Sequence, residues 1–420
     1  MEKERLTIAM ISVHSSPIGE LGTKDTGGMS VYIRELAREL GSRGHHVDIY
    51  TRLLGSGGNG RKVSLSENVR LVNLRIGNNG HLQRFELYPH LVDYFRELEA
   101  FRRREGLHYD LIHSHYWLSG RVGEWAQDRW DVPHVLKYHT IAAVKNNTPE
   151  SEREPELRVA TEKHLAKACH RILAATETEK EQLMRYYGVP SDAIGVVPCG
   201  VDLDLFRPMD RSEARQRLGF PQDDPIVLYV GRFAPLKGIR RLLEAVTYLK
   251  HHERLRLVIV GGDGEQTAET RGLLNLSGEW GIQDRVSLAG RIEQQHLPLY
   301  YSAANLLVVP SHYESFGLVA LESLACGTPV VASPVGAMKS ILREGETGRV
   351  VHNVSARSFA EAIESVIKEG RTLSAAAIRE SILEFGWSEI ASATIDEYST
   401  ALGEYSIESY PLGTGLASLA

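Results

Sequence analysis

Residues 305–327 read NLLVVPSHYESFGLVALESLACG. Asn305 to Val309 form a short apolar run of the kind that fills a buried strand, and Pro310 ends it. After a polar loop, Leu318, Leu321, Glu322, Leu324 and Ala325 take up a helical period, and Cys326-Gly327 closes it as a C-cap. Strand, loop and helix thus follow one another in a single short stretch. This is the unit from which parallel sheets covered by helices are built.

The same alternation runs almost from end to end and defines an α/β class. Further strand candidates are 6–13, 46–51, 69–74, 111–113, 134–138, 171–175 and 194–197, then 226–230, 255–260, 286–288, 329–332 and 349–351. Between the first two, Tyr32, Ile33, Leu36, Ala37 and Leu40 share one face of a helix expected over 30–42. The periodic pattern breaks between Pro198 and Pro225, where Pro208, Pro221, Asp223 and Asp224 cluster. The expectation is therefore two doubly wound domains, 1–205 and 206–386, facing across a cleft. A helix over 387–405 would pack back on the first domain, and 406–420 would be a flexible tail.

With 420 residues, 42% apolar and 24% charged, the chain can bury two large cores. Its net charge of −6 provides no global field for a phosphate backbone, so nucleic acid is not an expected partner. Cys169, Cys199 and Cys326 show no disulfide or zinc spacing and fit a reducing cytoplasm. The N-terminus reads as a first strand rather than a signal peptide, and no apolar run reaches the length of a membrane span. A homodimer is compatible with this composition.

The loop after Val309 carries Glu314, and Glu322 lies eight residues on, inside the helix. Amides of Phe316, Gly317 and Leu318 stand at the helix start, where the macrodipole favours an anion such as a diphosphate. Glu322 matches a vicinal diol such as that of ribose, and Glu314 a sugar hydroxyl. Arg232 and Lys237 follow the strand 226–230 and could neutralise a departing diphosphate. In the first half, Gly27 and Gly28 open a helix beside the end of strand one, and His115 and His139 lie at two further strand ends.

Taken together, Glu314 to Glu322 resembles the E-x7-E element, and Gly231-Arg232 with Lys237-Gly238 the Arg/Lys pair, of the retaining family 4 glycosyltransferases, which have the GT-B fold of two Rossmann-like domains. The resemblance spans 25–387, and Ser315 departs from it where the family often has Pro. It implies that Gly27 and Gly28 lie against the donor diphosphate or the acceptor, and that His139 holds a sugar hydroxyl while its carbonyl stabilises the developing sugar cation. It is strongest toward the branch that makes glycosyl inositol phosphate in the mycothiol pathway, with sucrose-phosphate synthases as near relatives. That implies an acceptor phosphate gripped by Tyr116, Thr140 and Arg158, with Arg84 as a further cation. Ser30 and Arg84 replace the Asn and Lys usual in that branch.

The implied reaction moves a hexosyl or N-acetylhexosaminyl group, with retention, from a nucleotide diphosphate sugar to a small phosphorylated acceptor; UDP is the family-weighted nucleotide. No cofactor or metal is expected. Asp202-Leu203-Asp204 spells D-x-D but sits at the domain junction, and protein cations already supply the charge. Gly55 to Gly60 satisfies G-x-G-x-x-G, yet Arg61 to Glu67 behind it carries no helical stripe, so it reads as a loop. A UDP-sugar 2-epimerase and a non-catalytic sugar-nucleotide binder are the competing classes.

Overall fold

A computed structural model describes residues 5–19, 26–53, 62–76, 82–262, 267–370 and 373–409, the side chains of 406–409 excepted. Eight strands form the first sheet: β1 (Thr7–Ser12), β2 (His46–Arg52), β3 (Lys62–Ser66), β4 (Val69–Leu74), β5 (Leu111–His115), β6 (His134–Lys137), β7 (Arg171–Ala174) and β8 (Ile194–Val196), in the order β3-β4-β2-β1-β5-β6-β7-β8. Six form the second: β9 (Ile226–Val230), β10 (Arg256–Val260), β11 (Val286–Gly290), β12 (Leu306–Val309), β13 (Val330–Ala332) and β14 (Gly348–Val350), in the order β11-β10-β9-β12-β13-β14. Every named pairing is parallel except β3 with β4. Helices cover both faces, which is why β1, β9 and β12 are apolar runs rather than alternations and even the polar residues of β5 and β6 are buried.

In such sheets the chain leaves in opposite directions on either side of one strand pair, and ligands bind beyond the carboxyl ends there. The first sheet reverses between β1 and β5, the second between β9 and β12. His14, Tyr116 and His139 follow β1, β5 and β6; Arg232 and Glu314 follow β9 and β12. The topology alone delivers these residues to the two crevices.

Three expectations change. Lys62–Ser66 is an edge strand, because Val63 and Leu65 alternate with polar neighbours and pack on the core; Gly55 to Gly60 and Asp25 lie outside the described residues. The Pro- and Asp-rich junction contains a helix, Arg211–Leu218, with Asp210 accepting from the Glu213 amide as N-cap and Gly219 left-handed at its end. The last helix runs from Trp387 to Ser409, past the limit expected; 410–420 lie outside the described residues. It lies on the first sheet's domain: Tyr398 Oη meets His113 Nδ1 at 2.7 Å, Arg43 donates to Ser392 Oγ at 2.9 Å, and Trp387 rings Tyr32 edge-on at 5.6 Å.

Candidate active site

In the second domain, backbone geometry builds the loop first. Gly317 has φ +109°, and a Cβ there would stand 2.1 Å from Met338 Cε, so only glycine lets the chain turn into the Leu318–Ala325 helix. Gly238, at φ +67°, is fixed in the same way, since a Cβ would lie 2.0 Å from the Pro310 carbonyl. His312 N donates to Leu236 O at 2.8 Å, which locks the 231–238 and 310–317 loops together.

On that frame Lys237 Nζ reaches Glu314 Oε1 at 2.7 Å, and Ser311 Oγ donates to the same oxygen at 2.8 Å. The expected diphosphate cation and the expected sugar carboxylate are therefore partners of each other. Arg232 is exposed beside them. Phe316 is buried against Phe385, so only its backbone can serve a ligand. Glu322 is buried, accepts from Tyr301 Oη at 2.6 Å, and is lifted by burial to about 7 against the hydrogen bonds of Tyr301 and Gln294. Gln294 in turn accepts from Arg34 of the first domain at 2.8 Å. Across the cleft a Cβ on Gly28 would meet Leu318 Cδ1 at 3.1 Å, so the Gly27-Gly28 turn abuts this helix start.

The first domain's half is buried and strained. Tyr116 has φ 77° and ψ 158°, a region nearly reserved for glycine, and His139 has φ 60°. The Tyr116 ring lies 4.6 Å from His14 and 4.7 Å from the Arg158 guanidinium. Arg158, 0% exposed, donates through Nε to Glu162 at 2.6 Å and through Nη2 to the Thr140 carbonyl and Oγ1 at 2.9 and 2.8 Å; Nη1 lies 3.0 Å from Glu154. The structure thus brings Tyr116, Thr140 and Arg158 together. It also excludes the solvated helix face that is the ordinary place for such an arginine.

Burial, then the charges of Arg84, Arg158 and Arg52, push His14 down to about 3. Tyr116 Oη and His14 Nδ1 are buried without a hydrogen-bond partner. This orphaned pair between arginines is what an anionic ligand's oxygens would satisfy. His139 Nε2 sits 3.0 Å from His115 Nδ1, and burial holds both rings well below the ordinary histidine range and so neutral. The signal for Arg158's burial was present as Glu154-x3-Arg158-x3-Glu162, one carboxylate a helical turn to each side.

Asp202 Oδ1 accepts from the amides of Asp204 and Leu205 at 3.0 Å, so the D-x-D carboxylate holds its own turn. Among the described residues, three metal-type ligands converge at His251, His252 and Glu364. Glu364 is already held by Lys368 at 2.5 Å, and the histidines follow the far end of the Ile239–Tyr248 helix from Lys237, about 15 Å away.

Residues 26–205 match the family model described as Glycosyltransferase Family 4, and 210–382 the model Glycosyl transferases group 1. A D-inositol 3-phosphate glycosyltransferase of Xylanimonas cellulosilytica is 39% identical over 405 residues, covering 94% of this chain and 96% of that one. One of Mycobacterium bovis is 38% identical over 410 residues, covering 96% and 84%. The solved sucrose-phosphate synthase from Thermosynechococcus elongatus superposes with a TM-score of 0.86 at 34% identity, over 95% of this chain and 100% of that one. Among the described residues no helix is long and apolar enough to cross a membrane.

Proposed function

Since the chain belongs to the family 4 glycosyltransferases, enzymes of the GT-B fold, we propose that it moves a hexosyl or N-acetylhexosaminyl group from a UDP-sugar to a hydroxyl of a small phosphorylated acceptor such as inositol 3-phosphate, with retention and without a metal. The observation that carries this reading is the buried Tyr116–Arg158–Thr140 cluster, with its orphaned Tyr116 Oη and His14 Nδ1, standing beside the Lys237–Glu314 loop. One side is built for an anion at depth. The other offers a helix start and two cations for a diphosphate.

On this reading each residue takes one role. Ribose hydroxyls donate to ionised Glu322, and the diphosphate takes the amides of Gly317 and Leu318. Lys237 exchanges Glu314 for the diphosphate, which frees Glu314 to accept from sugar hydroxyls while Arg232 and Lys237 stabilise the departing charge. His139, its Nε2 fixed by His115, leaves Nδ1 for a sugar hydroxyl, and its carbonyl faces the developing cation. The leaving phosphate takes the acceptor proton, so no side-chain base is required. Arg84 and Arg158 hold the acceptor phosphate with Tyr116 and Thr140.

The likeness to a sucrose-phosphate synthase favours a second acceptor, fructose phosphate, at the same pocket. The test is UDP release in excess chelator with each phosphate in turn, followed by NMR of the product's anomeric proton. Release on addition of one phosphate with the donor's anomeric configuration kept supports the reading. Inversion, or release only with added Mg or Mn, refutes it.

A further inference from the structure

Between the two halves stands one side chain that neither role above uses. Tyr313 precedes Glu314 in the second domain, yet its ring packs into the first domain's core beside residues that otherwise end at Val196. Its Oη accepts from the Ile141 amide at 3.3 Å. Burial raises the phenol, so it stays protonated.

The Ile141 amide is the first of three at the start of the short Ala142–Asn146 helix. Ala142 N donates to Glu162 Oε2 at 2.8 Å and Ala143 N to Tyr187 Oη at 3.3 Å; Tyr187 Oη donates to Glu162. Glu162 is the carboxylate that holds Arg158, and Arg158 holds Thr140, the residue before Ile141. The acceptor cluster and the amide that Tyr313 grasps therefore belong to one buried network. On its other side Tyr313 is covalently joined to Glu314, whose carboxylate decides whether Lys237 is free.

Resting on the functional reading above, we propose that Tyr313 is a positioning residue that couples the two sites: an acceptor phosphate that draws on Arg158 and Thr140 shifts the 140–143 turn, and Tyr313 carries the shift to Glu314, releasing Lys237 to the donor diphosphate. Coupling of this kind is a free energy shared by two ligands, and it is reciprocal. Acceptor phosphate then tightens nucleotide binding, and nucleotide tightens acceptor binding by the same factor.

The experiment is calorimetric titration of UDP into the full-length protein with and without saturating inositol 3-phosphate, and likewise fructose phosphate, for wild type and Tyr313→Phe. The variant keeps the ring in the core and removes only the hydroxyl. Wild type should bind UDP at least about fivefold more tightly with the phosphate that supports turnover. In Tyr313→Phe that factor should fall below about twofold, while each ligand alone binds as in wild type and the melting temperature is unchanged. With saturating donor the variant's acceptor KM should rise by the lost factor, about fivefold, although the phosphate alone binds as in wild type, a split that simple loss of packing would not produce.

A wild type without coupling, or a Tyr313→Phe protein with the wild-type factor, overturns the proposal. The functional reading fails separately. Coupling lost in the variant, from a wild type that shows it without any sugar transfer, keeps the latch and refutes transfer; transfer with coupling untouched by the variant does the reverse.

Discussion

The two halves of the cleft solve the same problem, holding anionic substrates, in opposite ways. In the first domain the charges are buried and already committed: Arg158 lies between Glu154 and Glu162, five histidines are sequestered, and two non-glycine residues sit at positive φ beside them. In the second, Lys237 and Glu314 are only partly buried on their loops and Arg232 is exposed, and the Lys237–Glu314 ion pair is open enough to solvent to exchange. A pocket fixed in advance suits recognition of a compact phosphate. A pair that can part suits charge that develops during reaction.

That contrast predicts which changes unfold the protein and which only slow it. Arg158→Met leaves the buried Glu162 without its countercharge, Glu154 keeping Lys145, and should destabilise by about 3–5 kcal/mol in urea unfolding. Lys237→Met should stay within about 1 kcal/mol by the same measurement. Comparable losses from both would erase the distinction.

Acid should separate the halves further. The unfolded chain takes up protons below 6.5 that His14 and His134, held near 3 by burial first, refuse when folded. Stability therefore falls as pH drops from 6.5 toward 3, by about 2.7 kcal/mol per pH unit for the two together. By pH 5, amide exchange in β1, β5 and β6 should quicken well before that in β9 and β12. Equal acceleration in both sheets contradicts this.

For the exchangeable pair, Lys237→Ala should lower turnover by about a hundred- to a thousandfold with the fold intact. A near-normal rate would remove Lys237 from the reaction. The smallest effect concerns Glu322, which burial raises to about 7. On the proposed ribose role nucleotide binding needs its ionised form, so UDP affinity should be level above pH 7 and about tenfold weaker at pH 6. Glu322→Gln should bind more weakly overall and lose that slope; a wild-type profile flat from 6 to 8 would rule out the ribose role.

Local pattern made much of this legible. β4, β9 and β12 lie where the apolar runs end, and Glu314, Lys237 and Gly28 could be found because strand-loop-helix punctuation marks the carboxyl edge of a sheet. What local pattern missed depends on distant partners. The strand Lys62–Ser66 is defined by its pairing with β4, the His115–His139 contact by two neighbouring strands, and the insertion of Tyr313 into the other domain by a partner 172 residues away. Arg158 is the intermediate case: its flanking glutamates are readable, but that all three are buried follows only from packing.

Most direct of all is the ratio of kcat/KM for the acceptor phosphate that supports turnover to that for its dephosphorylated counterpart. A pocket whose buried polar atoms await a phosphate should favour the former by roughly ten-thousandfold. A ratio within about tenfold would mean that the Tyr116–Arg158–Thr140 cluster is not where the acceptor is held.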